Sequence, residues 1–170
     1  MHKFRMTALG LVLAFGTGSA ALAAGLSHGD ATFLEEAADA GQLEISASQI
    51  ALQKSTRTDI KDFAQMMVDD HTKVANELQS LATSKGAKLP AEPSRKVSRK
   101  VNDLQKKTGA DFDKEYAKEI GVDAHEDAVK KFEKASKNAD DADVKAWAAK
   151  TLPSLQAHLA KGRQLRDATK

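Results

Sequence analysis

The stretch MMVDDHTKVANEL, residues 66–78, reads as amphipathic helix whose apolar stripe passes through Met67, Val74 and Leu78. The position that completes the stripe between Met67 and Val74 is His71. An ionisable imidazole therefore stands on a face that should be buried. Followed outward, Ile60, Ala64, Met67, His71, Val74, Leu78 and Leu81 keep alternating three- and four-residue steps, the seam of a helix packed among others. This helix is predicted from about Thr58 to Gly86, a residue suited to a helix C-terminus.

The same periodicity recurs along the chain. A helix is predicted from Asp30, a good N-cap, to about Lys54, with Phe33, Ala37, Ala40, Glu44, Ala47 and Ala51 in its inner row. Beyond Pro90 and Pro93, the segment SRKVSRKVNDLQKKTG reads as a short basic helix with Val97, Val101 and Leu104 as its apolar edge. A third long helix is predicted over Asp111–Lys137. Its rows Phe112, Tyr116, Ile120 and His125, Ala128, Phe132, Ala135 are joined by a five-residue step across Gly121, which points to a local π-bulge. A fourth starts at Asp141 or Asp143 and carries Val144, Ala148, Thr151, Leu155, His158, Gly162 and Leu165, with Pro153 expected to kink or open it. The chain is expected to be all-α: an up-and-down four-helix bundle with one short extra crossover helix, its domain over residues 30–170.

The first residues, MHKFRMTALGLVLAFGTGSAALAAG, join Lys3 and Arg5 to an apolar run and then to Ala21-Leu22-Ala23, the pattern of a cleaved signal peptide over residues 1–23. The expected compartment is the periplasm, with secretion or outer-membrane association as the alternative, and the mature chain is expected to lack a transmembrane segment. The 26 Lys and Arg against 24 Asp and Glu include Lys3 and Arg5, so the mature chain is neutral and offers no general attraction for nucleic acid. The absence of cysteine excludes disulfides, thiolate ligands and a lipid-bearing cysteine. On the basic segment, Arg95, Lys96, Arg99, Lys100, Lys106 and Lys107 could meet an anionic envelope surface or an acidic protein partner, or simply be solvated.

His71, His125 and His158 fall near the middle of three different predicted helices, and Glu44 near the middle of the remaining long one. Mid-helix residues meet at one level of a bundle, so the four could converge. Three imidazoles and a carboxylate would suit Zn(II), Fe(II), Cu(II) or Mn(II). Two other readings stay open: polar residues that set register without a metal, and a pH-sensitive His–Glu cluster. Asp70, Asp123 and Glu126 adjoin the histidines in sequence, but about 100° of helix rotation per residue makes them outer partners rather than ligands. His28 lies ahead of the first predicted helix and outside this set.

The stretches FLEEAADAGQLEISASQIAL, IKDFAQMMVDDHTKVANELQSLA, FDKEYAKEIGVDAHEDAVKKFEKAS and VKAWAAKTLPSLQAHLAKGRQL resemble a family of exported bacterial proteins known as domain of unknown function 4142. The resemblance covers about residues 31–167 and implies a ferritin-like bundle, without an established reaction. A di-iron site of that fold would need two Glu-x-x-His pairs. Val68, Val122 and Leu155 stand three residues before His71, His125 and His158, so neither pair is present. Nor does the chain carry a glycine-rich phosphate loop, a nucleophile elbow or a His-Glu-x-x-His motif, so no complete catalytic motif is found.

Overall fold

The computed structural model describes residues 25–170; the expected leader over 1–23 lies outside them. All regular structure among the described residues is helical. Helix α1 spans His28–Lys54, α2 Thr58–Ser84 and the short α3 Arg95–Gln105. Helix α4 (109–138) runs through Gly109–Tyr116, a π-helical stretch Ala117–Ala124 and His125–Asn138, and α5 is Ala142–Ala168.

The starts of α1, α3 and α5 are capped by side chains, with one exchange of roles. Ser27, not Asp30, caps α1, its side chain accepting from the Asp30 N–H, so that α1 begins at an exposed His28. The buried Asp30 carboxylate accepts instead from the backbone N–H of Asp140 at 3.3 Å and of Asp141 at 2.8 Å. It thereby fastens the start of α1 to the turn between α4 and α5. Ser94 caps α3, and Asp141 caps α5 by accepting from the Asp143 and Val144 N–H groups. Past the end of α2, Gly86 takes φ +66, the left-handed conformation that glycine adopts most readily. Pro153 is exposed and α5 continues through it.

Two apolar clusters fix the direction of each helix. One joins Ala51 at the end of α1, Ile60 at the start of α2, Phe112 at the start of α4 and Leu165 at the end of α5. The other joins Leu34 at the start of α1, Leu78 and Ala82 near the end of α2, Phe132 and Ala135 near the end of α4, and Val144 at the start of α5. Helices α1 and α2 therefore form one antiparallel hairpin, α4 and α5 another. Helices α2 and α4 run the same way, which departs from the strict alternation expected of an up-and-down arrangement.

The cause is the segment between α2 and α4, which leaves the second cluster at Ala87 and Leu89 and returns the chain to the first through α3. Its start is held by the Ser94 N–H donating to Asp39 at 3.0 Å, and beyond its end Lys54 Nζ reaches the carbonyls of Gln105 and Lys107. Val97 and Leu104 bury its narrow apolar edge. Two of its flanking cations already have carboxylate partners: Lys100 with Glu119 at 3.0 Å and Lys106 with Asp103 at 2.8 Å. No described helix is long and apolar enough to cross a membrane.

Candidate metal centre

The centre is built where the two hairpins meet, and the π stretch positions part of it. A regular α-helix would turn His125 away from the row of Ile120; the wider turn over Ala117–Ala124 returns it, and both are buried. The same geometry lets the Ile120 carbonyl, five residues back, accept from the His125 side chain at 2.8 Å. Within the π stretch, Gly121 meets Gly162 of α5. A Cβ added to Gly162 would lie 1.8 Å from the Gly121 carbonyl oxygen, and one added to Gly121 would lie 3.1 Å from the Gly162 Cα. Backbone thus touches backbone about one turn from His125 and one turn from His158. Towards the same end, Tyr116 and Ser48 share a buried hydrogen bond of 2.8 Å between their hydroxyls.

His71, His125 and His158 converge with ring centroids 5.6, 5.3 and 5.5 Å apart. One nitrogen from each ring lies within 4.8 Å of those from the other two, and all three residues are buried. Each ring has one nitrogen with a partner of its own. His71 Nδ1 lies 2.9 Å from Oε2 of Glu44, His125 Nδ1 donates to the Ile120 carbonyl, and His158 Nε2 lies 3.2 Å from Oδ2 of Asp70. The other nitrogens, Nε2 of His71, Nε2 of His125 and Nδ1 of His158, are buried without a hydrogen-bond partner. An imidazole whose N–H is committed to a carbonyl or carboxylate presents a lone pair at its second nitrogen. Such anchoring is the usual arrangement behind metal-bound histidine.

The electrostatics follow from burying one carboxylate among three imidazoles. Burial pushes Glu44 up, but attraction from His71, then His125 and His158, outweighs it and holds the carboxyl down to about 2. Burial acts on His71 in the opposite sense and is outweighed by Glu44, so His71 is raised. His158 is held down to about 4 by burial and by its two imidazole neighbours, against the weaker pull of Asp70.

These shifts set an acid limb and an alkaline limb for the metal-free protein. As pH falls from 6.5 towards 4, unfolded His158 takes a proton that the folded residue refuses, so stability falls. Below 4.5, Glu44 in the unfolded chain protonates while its folded carboxylate stays ionised until about 2, and stability falls further. Above 6.5, the folded chain retains a proton on His71 that the unfolded chain releases, and that contribution fades as pH rises through the raised value. Thermal melts of chelator-treated protein across this range should therefore peak near pH 6.5. A profile flat from pH 4 to 7 would contradict the His158 assignment.

All four residues singled out in the sequence are buried, and the structure brings them together. Glu44 joins through Oε2 on Nδ1 of His71; its Oε1, 3.7 Å from Nδ1 of His125, is buried without a hydrogen-bond partner. Asp70 serves His158, whereas Asp123 pairs with Lys118 and Glu126 with Arg163, both away from the rings. Ser154 Oγ lies 3.4 Å from the same His158 nitrogen that faces Asp70. The Ile120 carbonyl escaped sequence reasoning because a backbone acceptor leaves no residue-type signature. The five-residue step that implied the π-bulge was its one trace.

Three solved structures share the fold. A DUF305 fragment from Deinococcus radiodurans superposes with a TM-score of 0.74 at 10% identity, over 85% of this chain and 99% of that one. CopM in its Cu(I)-bound form gives a TM-score of 0.67 at 17% identity, over 82% of this chain and 96% of that one. The Cu(II)-bound form of CopM gives 0.68 at 17% identity, over 83% and 97%. No curated protein sequence matches the chain. A family profile matches residues 16–165, so the chain belongs to the family described as domain of unknown function, DUF4142.

Proposed function

We propose that this protein binds one transition-metal ion per chain through Nε2 of His71, Nε2 of His125 and Nδ1 of His158. The observation that carries the reading is the set of three unpartnered ring nitrogens, each on a buried imidazole whose other nitrogen is already anchored. A buried polar atom without a partner is costly, and three at one place call for a shared one. An ion about 2 Å from each nitrogen needs donors about 3.5 Å apart, and one nitrogen from each ring already lies within 4.8 Å of the others. Glu44 and Asp70 act from outside: each holds an imidazole in the tautomer that offers its lone pair, and Glu44 supplies negative charge.

Neutral imidazole suits copper, zinc and iron. The likeness to CopM, which was solved in copper-bound forms, makes copper the first ion to try. The crossover between parallel α2 and α4 supports a ferritin-like four-helix bundle as the frame of this reading. We place the mature protein, after removal of residues 1–23, in the periplasm, where it would buffer metal or serve an envelope stress response.

The test is metal titration of tagless, chelator-treated protein with Cu(I), Cu(II) and Zn(II), followed by elemental analysis. Near one ion per chain is expected for the wild type, and loss of stoichiometric metal in His71→Ala and His158→Ala. At a hundredfold excess over Kd, a bound ion should stabilise the wild type by about 3 kcal/mol, and these variants should not gain it. If both variants retain the metal at unchanged affinity, the histidine reading fails. If the wild type takes up none, the cluster is structural.

A further inference from the structure

Resting on that reading, we propose that the histidine centre is open on one side, with a coordination position facing a partly solvent-open cleft that admits a small neutral ligand. The cavity has a volume of about 130 Å³ and its wall includes Glu44 and His71. Its other lining residues locate it relative to the centre. Gly41 lies three residues before Glu44, Ala75 four after His71, Ala128 three after His125 and Leu155 three before His158, and all four line it. With α1 and α5 running opposite to α2 and α4, each of these positions is about one turn from the centre in the same direction. The cavity therefore lies directly against the cluster, on the side away from the Gly121–Gly162 contact.

Three nitrogen donors leave a four-coordinate ion one position short. In zinc sites, three protein ligands with a free fourth position distinguish catalytic centres from closed structural ones. Glu44 Oε2 is engaged by Nδ1 of His71, while its Oε1, 3.7 Å from Nδ1 of His125 and without a hydrogen-bond partner, is the one nearby protein oxygen that could compete for that position. Small residues create the space: a Cβ built on Gly41 meets nothing within 4 Å. The walls are mostly alkyl, with Phe132 beside them, and the single charge of a Cu(I) ion would be matched by the Glu44 carboxylate, so a neutral diatomic molecule fits there better than a small anion. A cavity of this size and lining admits a guest of a few heavy atoms.

The experiment uses the mature protein loaded with Cu(I), its metal content measured on the same sample, and carbon monoxide as the probe. The expected result is a single narrow C–O stretching band in the infrared, saturating at one carbon monoxide per copper. Gly41→Leu, which places a side chain in the cavity, should keep the copper and weaken carbon monoxide binding about tenfold or more, whereas Gly41→Ala should change it little. Xenon binding to the metal-free protein, followed by xenon NMR, should likewise be present in the wild type and lost in Gly41→Leu. Copper retained with no carbon monoxide band overturns the open position while leaving metal binding intact. Xenon bound without a carbon monoxide band shows a cavity that does not meet the metal and overturns it equally. Failure to retain copper, zinc or iron removes both this inference and the reading beneath it.

Discussion

Gly162→Ala is expected to lower the melting temperature by roughly 10 °C and to abolish stoichiometric metal binding. The added Cβ would sit 1.8 Å from the Gly121 carbonyl oxygen, and the obstacle is backbone rather than a side chain that can swing aside. Helices α4 and α5 must separate. Overpacking of this kind costs about 3 kcal/mol or more, and each kcal/mol moves the midpoint of a domain this size by about 2–4 °C. Separation at this level also pulls His125 and His158 apart, because the contact lies one turn from both. Gly121→Ala is the graded comparison: its Cβ meets the Gly162 Cα at 3.1 Å, and alanine recovers some helix propensity, so a loss of about 1 kcal/mol is expected. Thermal denaturation of the two metal-free variants checks the order. Equal, small losses would show that the helices are not held at backbone distance.

Glu44→Ala is expected to cost the metal-free protein about 3 kcal/mol, while Glu44→Gln costs about 1. The alanine variant leaves a void in a site where Glu44 is 1% exposed and removes the acceptor of the His71 Nδ1–H. Glutamine fills the same volume and keeps a carbonyl oxygen for that bond. The two should also part in metal affinity, with a loss of about 10–100-fold for alanine and a smaller one for glutamine, as expected of an orienting partner. Denaturant unfolding gives the first comparison and competition with a chelator the second. If glutamine loses as much affinity as alanine, the carboxylate charge or direct ligation governs, not orientation of His71.

What was legible in the sequence is what periodicity encodes. The row through Ile60, Ala64, Met67 and His71 is buried as its spacing requires, and the five-residue step from Ile120 to His125 is a π stretch. The inner row of α1 is less regular: Leu34 and Ser48 are buried while Phe33 is only half-buried. There the small residues leave the choice of face to the neighbouring helices. Helix direction was not legible, because spacing is the same read either way and only the path of α3 distinguishes parallel from antiparallel α2 and α4. The swap between Ser27 and Asp30 was hidden for a related reason: both are good caps, and the long-range demand of the Asp140 and Asp141 N–H groups decided between them. Asp70 and Glu44 play matching parts for His158 and His71. One stands on an apolar row and the other beside a histidine, and neither position by itself reveals the pairing.

The path of α3 has a consequence for how the molecule comes apart. Glu44 and His71 belong to the hairpin of α1 and α2, His125 and His158 to that of α4 and α5, and the chain between them is the linker with α3. Each hairpin consists of sequence-adjacent partners and can gather itself by short-range closure, whereas docking of the two is the long-range step. Neither half holds all four residues of the candidate centre. Parting of the hairpins as whole units would dismantle the centre with every helix still wound, so an ion bound as proposed would be a clasp on that motion and would leave the fraying of individual helices untouched.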